Sequence, residues 1–246
     1  MKSVVEVLTE HRSDRSFLET PIADEILNKV ILSAYHAPTS VNSQQVSVIL
    51  VQDKEHKQKI AALAGGQPWI ARAPAFLIFV LDMYKSAQGM AAIGKQQIAH
   101  QSIESLISGA TDVGIALASA LAAARSEGLG GVPIGGIRIN PQQMIEILDL
   151  PEMTFPVAGI SIGYVDQPAH IKPRLPLETF VHHEKYSTQG LVEKIDSYNQ
   201  QLTQHWKKIG RTEGESWSES VSSYYEKIYF PQVAPAIRQQ GFGTDK

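Results

Sequence analysis

Two short basic runs carry the residue types best suited to chemistry in this 246-residue chain. The first is His11-Arg12-Ser13-Asp14-Arg15. Two guanidiniums and a hydroxyl so close together can grip a phosphate, because arginine offers a planar fork of donors and serine adds a short one. The same run also reads as a solvated basic turn, and charge alone favours that plainer arrangement. The second run is Lys172-Pro173-Arg174, in a proline-rich loop over 166–176. Alone it is no stronger a signal. Together the two runs matter more, since a phosphorylated ligand with polar ends needs anchors at more than one point.

Two further motifs have bland and functional readings side by side. Gly128-Leu129-Gly130-Gly131-Val132-Pro133-Ile134-Gly135-Gly136 allows close backbone approach, and its N–H groups can face the polar edge of a ligand. It is neither a dinucleotide fingerprint nor a phosphate loop, because Pro133 occupies the third glycine position and no Gly-Lys-Ser/Thr follows. Its plain reading is a helix cap followed by turns. Gly159-Ile160-Ser161-Ile162-Gly163 matches the G-x-S-x-G nucleophile elbow in letters. That elbow needs a helix directly after the serine's strand. Tyr164-Val165-Asp166-Gln167-Pro168 does not start one, so a serine hydrolase built on Ser161 is a remote alternative to a plain strand.

Composition removes several classes of function. There are no cysteines, which excludes disulfides, thiolate metal sites, iron–sulfur clusters and a cysteine nucleophile. The eight histidines show no metal-ligand spacing, so no metal is expected. With 22 Lys and Arg against 25 Asp and Glu, the net charge of −3 argues against a nucleic-acid or anionic-membrane binder. The longest uncharged stretch of the most apolar region, 113–124, is 12 residues, short of the roughly 18 that a membrane span needs. The N-terminal sequence turns charged by Glu6, so no secretory leader is expected and a cytoplasmic location is.

The elements that must position these residues are legible in part. Val4, Val5 and Leu8 predict a short helix running into His11, and Asp24–Tyr35 is amphipathic through Leu27, Val30, Ile31 and Ala34. Val46–Val51, 75–81 and 157–163 read as buried strands. Helices are expected over 54–64, stopped by Gly65-Gly66, and over 102–127, the longest periodic segment, whose surface is small or apolar almost all round. That helix is either central or covered by a partner subunit. Asn140-Pro141 supplies a cap and a first-turn proline for a helix to residue 150. From Leu191 onward the chain reads helical and polar, broken near 210–215 and again at Pro231 and Pro235. Strands separated by helices indicate an α+β or three-layer α/β domain. We expect one domain over 1–246, with 191–246 a helical excursion.

In this order and spacing the pieces resemble the oxygen-insensitive NADPH nitroreductase and NADPH–FMN oxidoreductase branch of the nitroreductases, the flavin reductase P-like proteins. The resemblance runs through His11-Arg12-Ser13-x-Arg15-x-Phe17, Gly65-Gly66-Gln67, the long small-residue helix, and the 128–138 run ending in Arg138. It continues through Leu150-Pro151, Gly163, Lys172-Pro173-Arg174-Leu175-Pro176, His183-Glu184-x-Tyr186 and Trp217-Ser218.

What the resemblance implies is an α+β nitroreductase-like fold with a central, mostly antiparallel sheet, in an intertwined homodimer holding two FMN at the subunit interface. Carried over residue by residue, the FMN phosphate contacts fall on His11, Arg12, Ser13, Arg15, Lys172 and Arg174. The partner subunit's loop falls on Thr39, Ser40 and Val41, with Gln44 beside it. Gln67 matches the residue at the isoalloxazine edge, Trp69 stands nearby, and the backbone of Pro133, Ile134, Gly135 and Gly136 faces the flavin. The implied chemistry is ping-pong hydride transfer from NADPH or NADH through flavin N5 to a nitroaromatic, a quinone or free flavin. No side chain need act as acid or base, so no catalytic residue is assigned. A flavin reductase or FMN-delivery protein is the alternative. The arginines that hold the NADPH phosphate do not map cleanly: Lys207, Lys208 and Arg211 are the available cations, and Phe230-Pro231 stands where the family commonly has Arg-Pro.

Overall fold

The strand Ala75–Asp82 (β2) is buried at every one of its eight positions, and the rest of the fold is arranged around it. It pairs antiparallel on one side with Val46–Val51 (β1) and on the other with Thr154–Gly163 (β4). Gly130–Ile134 (β3) closes the far side of β4, giving a four-stranded antiparallel sheet in the order β1-β2-β4-β3. The computed structural model describes residues 3–244.

Because side chains alternate across a strand, β2 feeds two cores at once. Leu77 and Phe79 join Ile160 and Ile162 of β4 on one face, under the helices Asp24–Tyr35 (α2) and Ile103–Ser126 (α6). Phe76, Ile78 and Val80 join Val132 and Ile134 on the other, under Lys54–Leu63 (α3), Pro68–Arg72 (α4) and Pro141–Ile147 (α7). Both faces are thus covered by helices, as the α+β expectation requires. Val4–Thr9 (α1) starts with a Ser3–Glu6 capping box, and Tyr84–Ala91 (α5) follows β2 directly.

α6 passes the length and apolarity test for a membrane span, but Val113, Ala116, Ala120 and Ala124 of it are core residues, and the buried Asp112 lies on it. One of its small residues has a steric cause: a Cβ on Gly109 would stand 2.0 Å from Leu81 Cδ1.

The chain forms two compact units, residues 3–169 with 230–244, and His170–Tyr229. The second carries Leu191–Lys208 (α8) and Trp217–Tyr225 (α9), while Val233–Gln239 (α10) belongs to the first. Tyr198, Leu202 and Trp206 form the buried face of α8 at four-residue spacing.

Three sequence expectations need correction, and the remote hydrolase alternative falls away. Gly130–Ile134 is a strand, not a set of turns, and its Pro133 is tolerated because β3 is an edge strand. Asn140 does not cap α7; its amide donates instead to the carbonyl of Leu63 at the end of α3, 2.8 Å away. Pro235 does not break the chain but sits in the first turn of α10, where its missing N–H is not needed. Ser161 lies inside β4, fully buried and paired in register with Phe76 and Val132, with no helix after the strand, so no nucleophile elbow exists there.

Two neighbouring positions on β4 test this packing. A Cβ on Gly159 would lie 2.3 Å from the ring of Phe76, itself fully buried. Gly159→Ala is expected to cost about 2 kcal/mol and lower the melting temperature by roughly 4–8 °C. Ser161 Oγ is buried without a hydrogen-bond partner, so Ser161→Ala is expected to change stability by less than about 1 kcal/mol. Thermal melts of both variants read the contrast, and equal losses would mean that the strand's packing is misread.

Candidate functional site

The basic run near the start of the chain is built around a carboxylate, not around solvent. Asp14 is 1% exposed. Its Oδ1 accepts from the backbone N–H of Ala169 at 2.9 Å and lies 3.7 Å from Arg12 Nε, and its Oδ2 lies 3.5 Å from Arg125 Nη1. Arg125, in the last turn of α6, also donates to the carbonyl of Glu10 at 3.1 Å. The backbone N–H of Asp14 donates to Gly131 of β3. A Cβ on Gly130 would meet Asp14 Oδ2 at 2.8 Å and Val165 at 2.2 Å, so glycine is required where β3 passes this carboxylate. Neither Asp14 as anchor nor Arg125 as its partner was assigned from the sequence. The signal available was an acid inside a basic run.

Around this anchor two sequence-distant assignments meet. Arg15 donates to the carbonyl of Ser13 at 3.2 Å and places its guanidinium 5.2 Å from the centre of the Trp69 ring. That distance is within cation–π range. Arg12 Nε and Trp69 Nε1 are both buried with no hydrogen-bond acceptor among the described residues. Such orphaned donors are costly unless a ligand or water meets them.

Gln67 precedes α4 and donates to the carbonyl of Ala64 at 2.9 Å. Gly136 lies directly against it: a Cβ there would be 2.1 Å from Gln67 Nε2. The Gly135-Gly136 backbone and the Gln67 amide are therefore neighbours. Ile134 is buried in the core beneath them, while Pro133 is exposed on the sheet edge.

The loop carrying Thr39, Ser40, Val41 and Gln44 stands apart from this group. Its backbone is strained: Val41, Asn42 and Gln44 have φ of 47°, 54° and 50°, a region that a β-branched residue rarely enters. Asp112 of α6 pins it, accepting from Ser40 N–H at 3.1 Å and from the Gln45 amide at 2.8 Å. Asp112 and Arg125 are 13 residues apart on one helix, so the loop and the basic run are attached about 20 Å apart along its axis. Val41 is 95% exposed. Thr39 and Gln44 line a cavity of 620 Å³ that includes none of the basic run.

In the second unit, Trp206 is the organising residue, again unassigned from the sequence. Lys172 Nζ lies 5.4 Å and the Arg211 guanidinium 4.9 Å from the centre of its indole. Its Nε1 donates to the carbonyl of Glu215 at 2.9 Å, and Gly214 is glycine because a Cβ would collide with the ring at 2.2 Å. The Tyr198 hydroxyl donates to the carbonyl of Pro173 at 2.8 Å. Burial pushes the Tyr198 phenol up, and the charge of Arg174 works against that rise. Lys207 and Lys208 are exposed in the last turn of α8, where cations also favour the helix dipole. Among the described residues no group of side chains could hold a metal ion.

The chain is 45% identical over its whole length, and the whole length of the relative, to the FMN reductase [NAD(P)H] of Bacillus subtilis (strain 168). It is 33% identical to the NADPH-flavin oxidoreductase of Vibrio harveyi, with 98% of each chain covered. Among solved structures, B. megaterium NfrA2 superposes with a TM-score of 0.97 at 40% identity over all of both chains. The NADPH:FMN oxidoreductase of Vibrio harveyi complexed with NAD+ gives 0.88 at 32% identity over 97% of each. The model of the Nitroreductase family matches residues 8–164 and that of its C-terminal domain residues 172–245, and the chain belongs to the nitroreductase family.

Proposed function

We propose that this protein is an FMN-dependent NAD(P)H oxidoreductase whose phosphate cradle is His11, Arg12, Ser13 and Arg15. The observation that carries the reading is the buried Arg12 Nε, held beside Asp14 yet left without an acceptor. A phosphate oxygen supplies the missing acceptor, and charge-assisted bonds of this kind are the strong ones. The Trp69 indole N–H is a second unmet donor beside Arg15. Gln67 and the Gly135-Gly136 backbone offer an amide edge against which a planar ring system can lie. Bound FMN would take a hydride from NAD(P)H and pass it to the acceptor. The chain's part is to bind, orient and keep positive charge near the ring. As the family resemblance implies, Lys172 and Arg174 would share the phosphate, Arg211 with Lys207 and Lys208 would meet the donor, and the enzyme would be cytoplasmic.

The reading includes a homodimer in which Thr39, Ser40, Val41 and Gln44 serve the partner's flavin. Two features support it. Those residues are tethered about 20 Å along α6 from the basic run of their own protomer. Val5, Leu8, Leu32, Tyr35 and Ile107 are large apolar residues left exposed on α1, α2 and α6, at 53–70%; exposed apolar surface on neighbouring elements supports an interface. The name of the Bacillus subtilis relative favours free FMN as acceptor and the use of both nicotinamide donors. We therefore take flavin reduction as the leading activity and nitro or quinone reduction as the second reading.

Purified protein is expected to be yellow with bound flavin, to bleach on rapid mixing with NADPH or NADH, and to recover its colour when acceptor is added. A colourless preparation that takes up no FMN would defeat the reading. Arg12→Ala or Arg15→Ala is expected to weaken FMN by about 2–3 kcal/mol, or roughly 30- to 150-fold in Kd. Asp14→Asn is expected to weaken FMN as well, and to destabilise the fold by about 2–3 kcal/mol, because Arg12 and Arg125 lose their common counter-charge. Unchanged FMN content in all three variants would move the phosphate elsewhere.

Donor recognition has its own test. Arg211→Ala is expected to raise the KM for NADPH about tenfold, the value of one charge-assisted phosphate contact, while leaving that for NADH unmoved. Steady-state kinetics with both donors read it directly; equal shifts for both would mean that Arg211 does not meet the extra phosphate.

A further inference from the structure

A cavity of 520 Å³ in the first unit contains none of the residues assigned to flavin or donor. Its wall includes Lys54, Lys57 and Arg72 against a single carboxylate, Glu19, with Ile22 and Pro68 among its apolar members. Lys57 is the unusual one. It is 5% exposed, and its ammonium donates to the carbonyls of Ala73 and, at 3.3 Å, Pro74. An ammonium has three donors, so one remains without a protein acceptor. No carboxylate pairs with Lys57 at salt-bridge distance, nor with Lys54 or Arg72, among the described residues. Burial accordingly pushes the Lys57 pKa down. The charge of Asp53, just before α3, opposes that shift without reaching salt-bridge distance, and a nearly buried ammonium with no direct ion pair is an expensive arrangement in a stable fold. Here it stands in a cavity wall with a forked guanidinium as a second cation.

We propose that this cavity is a second ligand site, distinct from the flavin site, that takes a small amphipathic carboxylate, its head on Lys57 and Arg72 and its apolar body against Ile22 and Pro68. A bare inorganic ion would leave most of a 520 Å³ space and its apolar wall unfilled. An uncharged ligand would leave the buried ammonium as it is. Arginine adds the planar fork that matches a carboxylate in two parallel hydrogen bonds. Glu19 limits the acceptable ligand to one whose charge sits at one end.

The test is calorimetric titration of the flavin-loaded enzyme with benzoate, with benzamide and inorganic phosphate as comparison probes. Benzoate is expected to bind, and benzamide, the uncharged near-isostere, to bind at least about tenfold more weakly. Arg72→Gln, an exposed position, is expected to weaken benzoate by a similar factor while FMN content and melting temperature stay at wild-type values. Lys57→Met is expected to abolish binding; should it fail to fold, Arg72→Gln alone decides. No heat with benzoate, equal binding of benzamide, or a titration unaltered in Arg72→Gln would each overturn the proposal. So would benzoate binding that perturbs the flavin absorption band and competes with NADPH, since it would place the ligand at the flavin. Phosphate binding as tightly as benzoate would overturn the ligand class. A preparation without flavin would count against the proposed activity and leave this titration readable on its own.

Discussion

The buried carboxylate of Asp14 is the constraint from which much of the first unit follows. A carboxylate at 1% exposure must be met by donors or by cations. It is met by one backbone N–H, from Ala169, and by two guanidiniums, from Arg12 and Arg125. These partners come from the segment after β4, from the basic run itself and from the end of α6. One side chain therefore joins three stretches that are far apart in sequence. With Val165 it also dictates the glycine at position 130, where a Cβ would meet Val165 at 2.2 Å and Asp14 Oδ2 at 2.8 Å. Two cations around one anion leave a surplus positive charge. That surplus, with Arg12 Nε 3.7 Å from Asp14 and so ion-paired but beyond hydrogen-bond distance, keeps the run from being a closed ion pair.

α6 then sets the distances. Its Asp112 holds the strained loop at Ser40 and Gln45, and its Arg125 holds the basic run at Glu10. A helix of fixed rise is a ruler, so the two attachments are separated by about 20 Å whatever the loops between them do. The strain at Val41 is held in place by Asp112 together with the loop's own bonds, among them Gln44 N–H to Thr39 Oγ1 at 3.1 Å. Such a loop is poorly suited to a purely local purpose. An exposed Val41 on a fixed backbone is suited to meeting another surface.

Much of the architecture could be read from periodicity. The helices over Asp24–Tyr35 and Ile103–Ser126 and the strands β1, β2 and β4 fall where apolar spacing puts them. What escaped did so for identifiable reasons. β3 was hidden because its glycines signal turns by default, whereas here they answer the close approach of Asp14 and Leu121. Asn140 has the right type for a cap, but a competing acceptor, the Leu63 carbonyl, lies within reach only in the folded chain. α4 is five residues long, too short for any period to register. At the site, the cations were legible and their holders were not. Beyond an acid inside a basic run, nothing in the residue pattern marks Asp14 or Trp206 as a holder of cations. Burial decided both roles, and burial is a property of the fold.

The holders differ in kind, and the difference bears on function. Asp14 fixes Arg12 by opposite charge, which consumes part of the field that it organises. Trp69 fixes Arg15, and Trp206 fixes Lys172 and Arg211, through ring quadrupoles. An aromatic face orients a cation without cancelling its charge. It is also apolar, so it lowers the local dielectric in which that charge acts. Two of the chain's three tryptophans are used in this way. Arg15 and Arg211, held on indoles, have no carboxylate at salt-bridge distance among the described residues to compete with a phosphate. A protein of net charge −3 can in this way keep strongly positive patches where an anionic ligand must be bound.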